Sequence, residues 1–110
     1  MALIHMKDGV SCEGVKLVTI DGLLQLAVLF HQYEAVLVVT ALTDGQHMLG
    51  SLHGRGYAAD IRSRDIPDFQ RPHLLDAMHQ TLGYDWDVIQ EKDHFHCEYD
   101  PDHNGGKNLP

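Results

Sequence analysis

The sequence predicts an α+β fold, a small, mainly antiparallel sheet with helices packed on it. Two observations carry this expectation. Two segments repeat their apolar residues at helical spacing, and four others are β-branched or short and apolar between turn residues. Their order along the chain, helix, strand, strand, helix, strand, strand, suits an antiparallel sheet better than a strictly alternating parallel one.

From Asp21 the residues Leu23, Leu24, Ala27, Val28, Phe30 and His31 have helical spacing, with Asp21 placed as an N-cap and the helix closing near Glu34. Ala35 to Leu42 is a continuous apolar, β-branched run stopped by Thr-Asp-Gly, the pattern of a strand buried on both faces. Tyr57 to Arg62 reads as a second strand. Pro72 then opens a helix whose Leu74, Leu75, Met78 and Leu82 form one stripe before Gly83 ends it. Trp86 to Gln90 and His94 to Tyr99 read as two strands joined by the charged turn Glu91-Lys92-Asp93.

A chain of 110 residues has room for one domain, expected over 1–100, and the Asp-His-Asn-Gly-Gly run marks 101–110 as a disordered tail. No apolar stretch is long enough to span a bilayer. The formal net charge of -8, with Lys and Arg scattered rather than striped, argues against nucleic acid as a partner. The first residues lack the pattern of a secretory signal, so synthesis in the cytoplasm is expected, with Cys12 and Cys97 as free thiols. Nine histidines point toward metal or proton chemistry.

Their placement narrows the choice. In Ser51-Leu52-His53-Gly54-Arg55-Gly56-Tyr57-Ala58-Ala59-Asp60 a histidine and a carboxylate stand on either side of a glycine that turns the chain back. If Tyr57 onward is extended, Ala58 and Asp60 share a face, and the small alanine leaves room beside the carboxylate. His94 and His96 also share a face of their strand. Catalytic zinc takes three protein ligands and keeps a fourth position open, and His53, Asp60 and His96 supply two nitrogens and an oxygen. Asp93, three residues before His96, is the candidate general base, with Glu91 as its competitor.

Ser51, His53, Gly56, Ala58 and Asp60 match the S-x-H-x-x-G-x-A-x-D signature of the D-Ala-D-Ala carboxypeptidase-like metallopeptidases, and Asp93-His94-Phe95-His96 resembles their acidic-x-x-His element. The resemblance implies zinc held by His53, Asp60 and His96, with Asp93 as base. The chain is also similar to the signalling domain of the hedgehog proteins from Asp44 to Cys97, through Asp44-Gly45, His47, Ser51-Leu52-His53, Gly56, Ala58, Asp60-Ile61, Gly83, Asp85-Trp86, His94, His96 and Cys97. That likeness implies a hedgehog-like zinc fold, with His47 and His94 beside the metal. The hedgehog site has a glutamate where Gln90 stands and an alanine where Asp93 stands, so at that point the chain looks like a peptidase.

Together the resemblances imply a zinc metallopeptidase cutting a short D-amino-acid-containing peptide, the peptidoglycan stem peptide above all, with His94 stabilising the oxyanion. Many of these peptidases carry a substrate-binding arginine before the signature serine; Val38 to Gly50 contains none, and Arg55 is the candidate substitute. Ser51 and Gly56 are expected to shape the loop. Trp86 is expected in the core. The small size and missing signal suit a phage-encoded protein acting on the cell wall. The alternative is a non-catalytic module of the same fold, stabilised by zinc, or a structural protein of a phage particle.

Overall fold

The computed structural model describes residues 3–45 and 51–110. A short strand, β1 (Ile4–Met6), leads into helix α1 (Leu17–Gln32), followed by β2 (Leu37–Ala41) and β3 (Ala58–Arg62). Helix α2 (Arg71–Leu82) and the hairpin β4 (Trp86–Gln90) and β5 (His94–Tyr99) complete the fold. The sheet runs β1-β2-β3-β5-β4, antiparallel everywhere except between β1 and β2. The α+β architecture expected from sequence is therefore the one observed.

Alternation along the central strands sets the layers, because successive side chains leave a strand on opposite faces. Val39, Ile61, Phe95 and Cys97 point to the inner face, where they are essentially inaccessible and meet Leu26 and Phe30 of α1 and Leu74 and Met78 of α2. Each such apolar side chain contributes roughly 1.5–3 kcal/mol on burial. Phe30 and Phe95 meet edge to face, 6.4 Å between centroids. Trp86 joins this core, as expected, and packs so close to Gly22 that a Cβ there would lie 2.6 Å from its ring. The opposite face of the same strands carries Asp60, Arg62, His94 and His96, with Asp60 paired to His96 and Arg62 to His94.

Four expectations need correction. β1 was not foreseen; three residues are too few to show a period, and its place comes from pairing with β2, Ile4 to Leu37. Helix α1 starts at Leu17, so Asp21 is no N-cap but lies inside the helix, where its carboxylate accepts a bond from Gln25 at 2.8 Å. The earlier start is held from a distance: buried Thr19 donates to the Gly56 carbonyl at 2.6 Å, and the Lys16 amide donates to the same oxygen. Strand β2 is also shorter than the apolar run that predicted it.

The fourth correction concerns 101–110, expected to be disordered. The Asp100 carboxylate, 3% exposed, accepts the amides of Asn104, Gly105 and Gly106 at 3.2, 2.9 and 3.0 Å and winds the segment into turns. Arg55 then donates to the carbonyls of Gly106 and Leu109 at 2.8 and 2.7 Å, and the Tyr57 hydroxyl donates to that of Pro110. Glycines read as flexibility thus serve a turn around a carboxylate. No helix is long and apolar enough to cross a membrane among the described residues.

Candidate metal centre

The signature loop is a run of turns closed by its own backbone: the Arg55 amide donates to Ser51, Gly56 to His53, and Tyr57 to Leu52. Gly56 adopts φ +90°, and a Cβ there would collide with the Gly14 carbonyl, so only glycine fits. This turn carries His53 to the outer face of β3. His53 is buried, and its Nδ1 lies 2.8 Å from the Leu42 carbonyl while Nε2 lies 3.1 Å from Asp60 Oδ1. From the other side His96 brings Nδ1 to 3.0 Å from the same oxygen, and its Nε2 sits 2.6 Å from Glu98 Oε1. The two imidazole centroids are 5.0 Å apart.

The three expected ligands therefore converge. Tetrahedral zinc with bonds of about 2.0–2.2 Å has ligand–ligand edges of roughly 3.3–3.6 Å. The separations of 3.0 and 3.1 Å differ from such edges by only a few tenths of an ångström. The donor set, two imidazole nitrogens and a carboxylate oxygen, is one that zinc takes.

Proton counting makes the fit stronger. A neutral imidazole has one N–H. Here each ring is placed between two acceptors: Leu42 carbonyl and Asp60 for His53, Glu98 and Asp60 for His96. Satisfying all four contacts requires either two imidazolium ions on one carboxylate or a cation replacing the protons on the Asp60 side. Without metal the field favours the protons. The bonds to Asp60 and Glu98 push His96 up to about 10 against the opposing effect of burial. Burial acts against protonation of His53 too, but Asp60 and the Leu42 carbonyl outweigh it and raise its pKa. Burial would raise Asp60; its bonds from His53 and His96 prevail and hold it well below the usual carboxylate range.

His94 and Asp93 stand beside this trio as a pair. His94 Nε2 lies 3.7 Å from Asp60 Oδ1, and its Nδ1 lies 2.8 Å from Asp93 Oδ1. The Asp93 side chain is largely exposed, and its bond from His94 lowers its pKa. Both residues line a cleft of about 270 Å³ that also contains Asp60, Lys7, Arg62 and Arg64. Glu91 joins the hairpin by its amide, bonded to the His94 carbonyl at 2.8 Å. Gln90 points to the other face of the sheet and donates to Ser63 Oγ, so its side chain does not compete for the metal.

Two expected neighbours behave differently. Arg55, the candidate substrate-binding residue, donates to the carbonyls of Gly106 and Leu109 and is not among the residues lining the cleft. Ser51 takes part in the loop through its carbonyl, which accepts the Arg55 amide. His47 lies outside the described residues. Two partners were missed: the Leu42 carbonyl, which no sequence pattern marks, and Glu98, which was readable. His96-x-Glu98 on a strand puts both side chains on one face, as His94-x-His96 does.

Comparison with known proteins gives a partial likeness. No family model matches the chain. It is 34% identical over 61 residues to the Indian hedgehog protein of Xenopus laevis, covering 56% of this chain and 15% of that protein. The Gallus gallus Indian hedgehog protein matches to the same extent. To the Tiggy-winkle hedgehog protein of Danio rerio it is 37% identical over 54 residues, 49% of this chain and 13% of the relative. The chain thus spans about one seventh of the length of these relatives. Over about half of its own length it is similar to hedgehog proteins, and it carries a candidate metal site.

Proposed function

We propose that this chain is a zinc-dependent peptidase acting on a short peptide, the D-amino-acid-containing stem peptide of peptidoglycan. The observation that carries the metal reading is the placement of His53 and His96, each between Asp60 and a second acceptor, an arrangement that a cation completes. Zinc in such a site supplies a Lewis acid that polarises a carbonyl and acidifies water. His53, Asp60 and His96 would hold it, and the Leu42 carbonyl and Glu98 would fix the two imidazole rings.

Asp93 and His94 support the catalytic reading, since a site that only braces the fold has no use for them. In this reading Asp93 accepts the proton of the attacking water and returns it to the leaving amine. His94 turns Nε2 toward the cleft and, as the imidazolium with Nδ1–H donating to Asp93, donates to the oxyanion. A second reading follows from the hedgehog likeness: a non-catalytic module in which zinc braces the fold and the cleft receives a partner.

Hydrolysis of purified peptidoglycan by the zinc-loaded protein, with products identified by mass spectrometry, separates the two. Asp93→Asn is expected to keep zinc and fold while losing at least ~100-fold in rate, the lower range for general acid–base catalysis. His53→Ala is expected to lose the metal. Stoichiometric zinc without any cleavage would move the assignment to the binding module.

A further inference from the structure

The two imidazoles of the metal centre stand on different parts of the chain, His96 within β5 and His53 in the loop 51–57, and the segment 101–110 ties one to the other. It leaves β5 directly. The Asp100 amide donates to the Asp85 carbonyl at 2.8 Å, and the Asp100 carboxylate gathers the turn that follows. The segment then lies against the loop of His53. Arg55 Nη2 donates to the carbonyls of both Gly106 and Leu109, and the guanidinium stands 5.8 Å from the centre of the Tyr57 ring. Leu109 packs against the small apolar cluster of Leu52, Tyr57 and Ala58, which is distinct from the main core. Gly106 is buried so near Leu52 that a Cβ there would lie 2.5 Å from Cδ2.

From this we infer that Arg55 is a positioning residue for His53, and that the segment 101–110 is a clasp fixing the loop of His53 against the strand of His96. The outgoing end of the loop is anchored to the fold without the clasp, since the Gly56 carbonyl accepts from Lys16 and Thr19 and the Tyr57 carbonyl from Tyr99. The incoming end, which bears His53, depends on what covers Leu52. Leu52 and His53 are adjacent and meet different surroundings, Leu52 the clasp and His53 the Asp60 carboxylate. Holding the first side chain fixes the direction of the second. Arg55 joins loop to clasp because its planar guanidinium places two charged N–H donors at set angles, a geometry that an ammonium does not reproduce. Clasp and metal thus hold the same loop, and whatever tightens one tightens the other by the same factor. The inference rests on the metal reading of the site and does not depend on hydrolysis.

The test uses the full chain, with Arg55→Gln and Leu109→Asp as variants and Lys107→Ala, at an exposed position of the same segment, as control. Arg55→Lys, which keeps the charge without the fork, replaces either variant that fails to fold. In the metal-free protein the amides of Arg55, Gly56 and Tyr57 are expected to exchange hydrogen about tenfold faster or more in both variants, and at the wild-type rate in the control. Zinc affinity, measured by competition with a chelator, is expected to fall about tenfold in the same two variants. Zinc should in turn slow exchange at the Gly106 and Leu109 amides of the wild type by a comparable factor, a response that a merely structural contact does not give. Unchanged loop exchange in both variants overturns the inference. So does zinc affinity within twofold of wild type, or exchange at Gly106 and Leu109 that ignores bound zinc; either result removes the positioning role and keeps the metal. Faster loop exchange in the variants of a protein that takes up no zinc keeps the clasp and removes the metal.

Discussion

Glu98 offers a direct test of how the site is held. Its Oε1 lies 2.6 Å from His96 Nε2, on the far side of the ring from Asp60. With a metal at the proposed site, this bond would keep the proton on Nε2, leave the Nδ1 lone pair for the metal and make that nitrogen more basic. Glu98→Ala removes all three effects without touching a ligand. Loss of such an outer partner lowers metal affinity by roughly 10–100-fold, or about 1.4–2.7 kcal/mol. The side chains of Glu98 and His96 are 24% and 17% exposed, so water takes over part of the bond and the lower end is expected. Glu98→Gln keeps an acceptor oxygen and should lose less, a few-fold. The measurement is competition for zinc against a chromogenic chelator, with circular dichroism confirming the fold. Zinc affinity within twofold of wild type in the alanine variant would refute the argument that His96 binds through Nδ1 with Glu98 behind it.

Three other outcomes are expected elsewhere in the fold. Gly56→Ala should destabilise the protein by at least ~2 kcal/mol in denaturant titration, since φ +90° and the Gly14 carbonyl both oppose a Cβ. Asp100 is held below the usual carboxylate range: burial opposes this, but the amides of Gly105, Asn104 and Gly106 prevail. Its contribution is present above the unfolded pKa of about 3.9 and is lost as pH falls toward the lower folded value. Hydrogen exchange at Asn104–Gly106 should therefore stay protected down to about pH 4 and rise below it. Burial pushes the Cys97 thiol up, while Cys12 is exposed. A thiol reagent should thus label Cys12 alone in the native protein and both cysteines in denaturant; native labelling of Cys97 would contradict its place in the core.

Legibility in the sequence followed the range of the forces involved. The hairpin of β4 and β5 was read to the residue, because its alternation and charged turn are local signals. The convergence of His53, Asp60 and His96 was readable as well, since a glycine turn and period-two strands turn spacing into direction. What escaped depended on distant partners. The start of α1 is set by Thr19 meeting the Gly56 carbonyl, 37 residues away, and Asp21 looked like a cap only because that contact is invisible in one dimension. Arg55 looked available for substrate because its partners, Gly106 and Leu109, lay in a segment read as disordered. The cationic cleft was dispersed across β1 and the end of β3, so its residues looked scattered along the chain.

The pairing of Asp60 with His96, one step out of phase with the pairing of Ile61 with Phe95, divides each strand between two kinds of selection. Odd positions along this stretch of β3 and β5 answer to packing, even ones to chemistry. A lineage can therefore exchange His94 or Glu98 without disturbing a single contact beneath the sheet, and so alter the chemistry of the outer face at little risk to folding. For an engineer the same division marks which residues to randomise: the outward face of two strands is a small library whose members should nearly all fold.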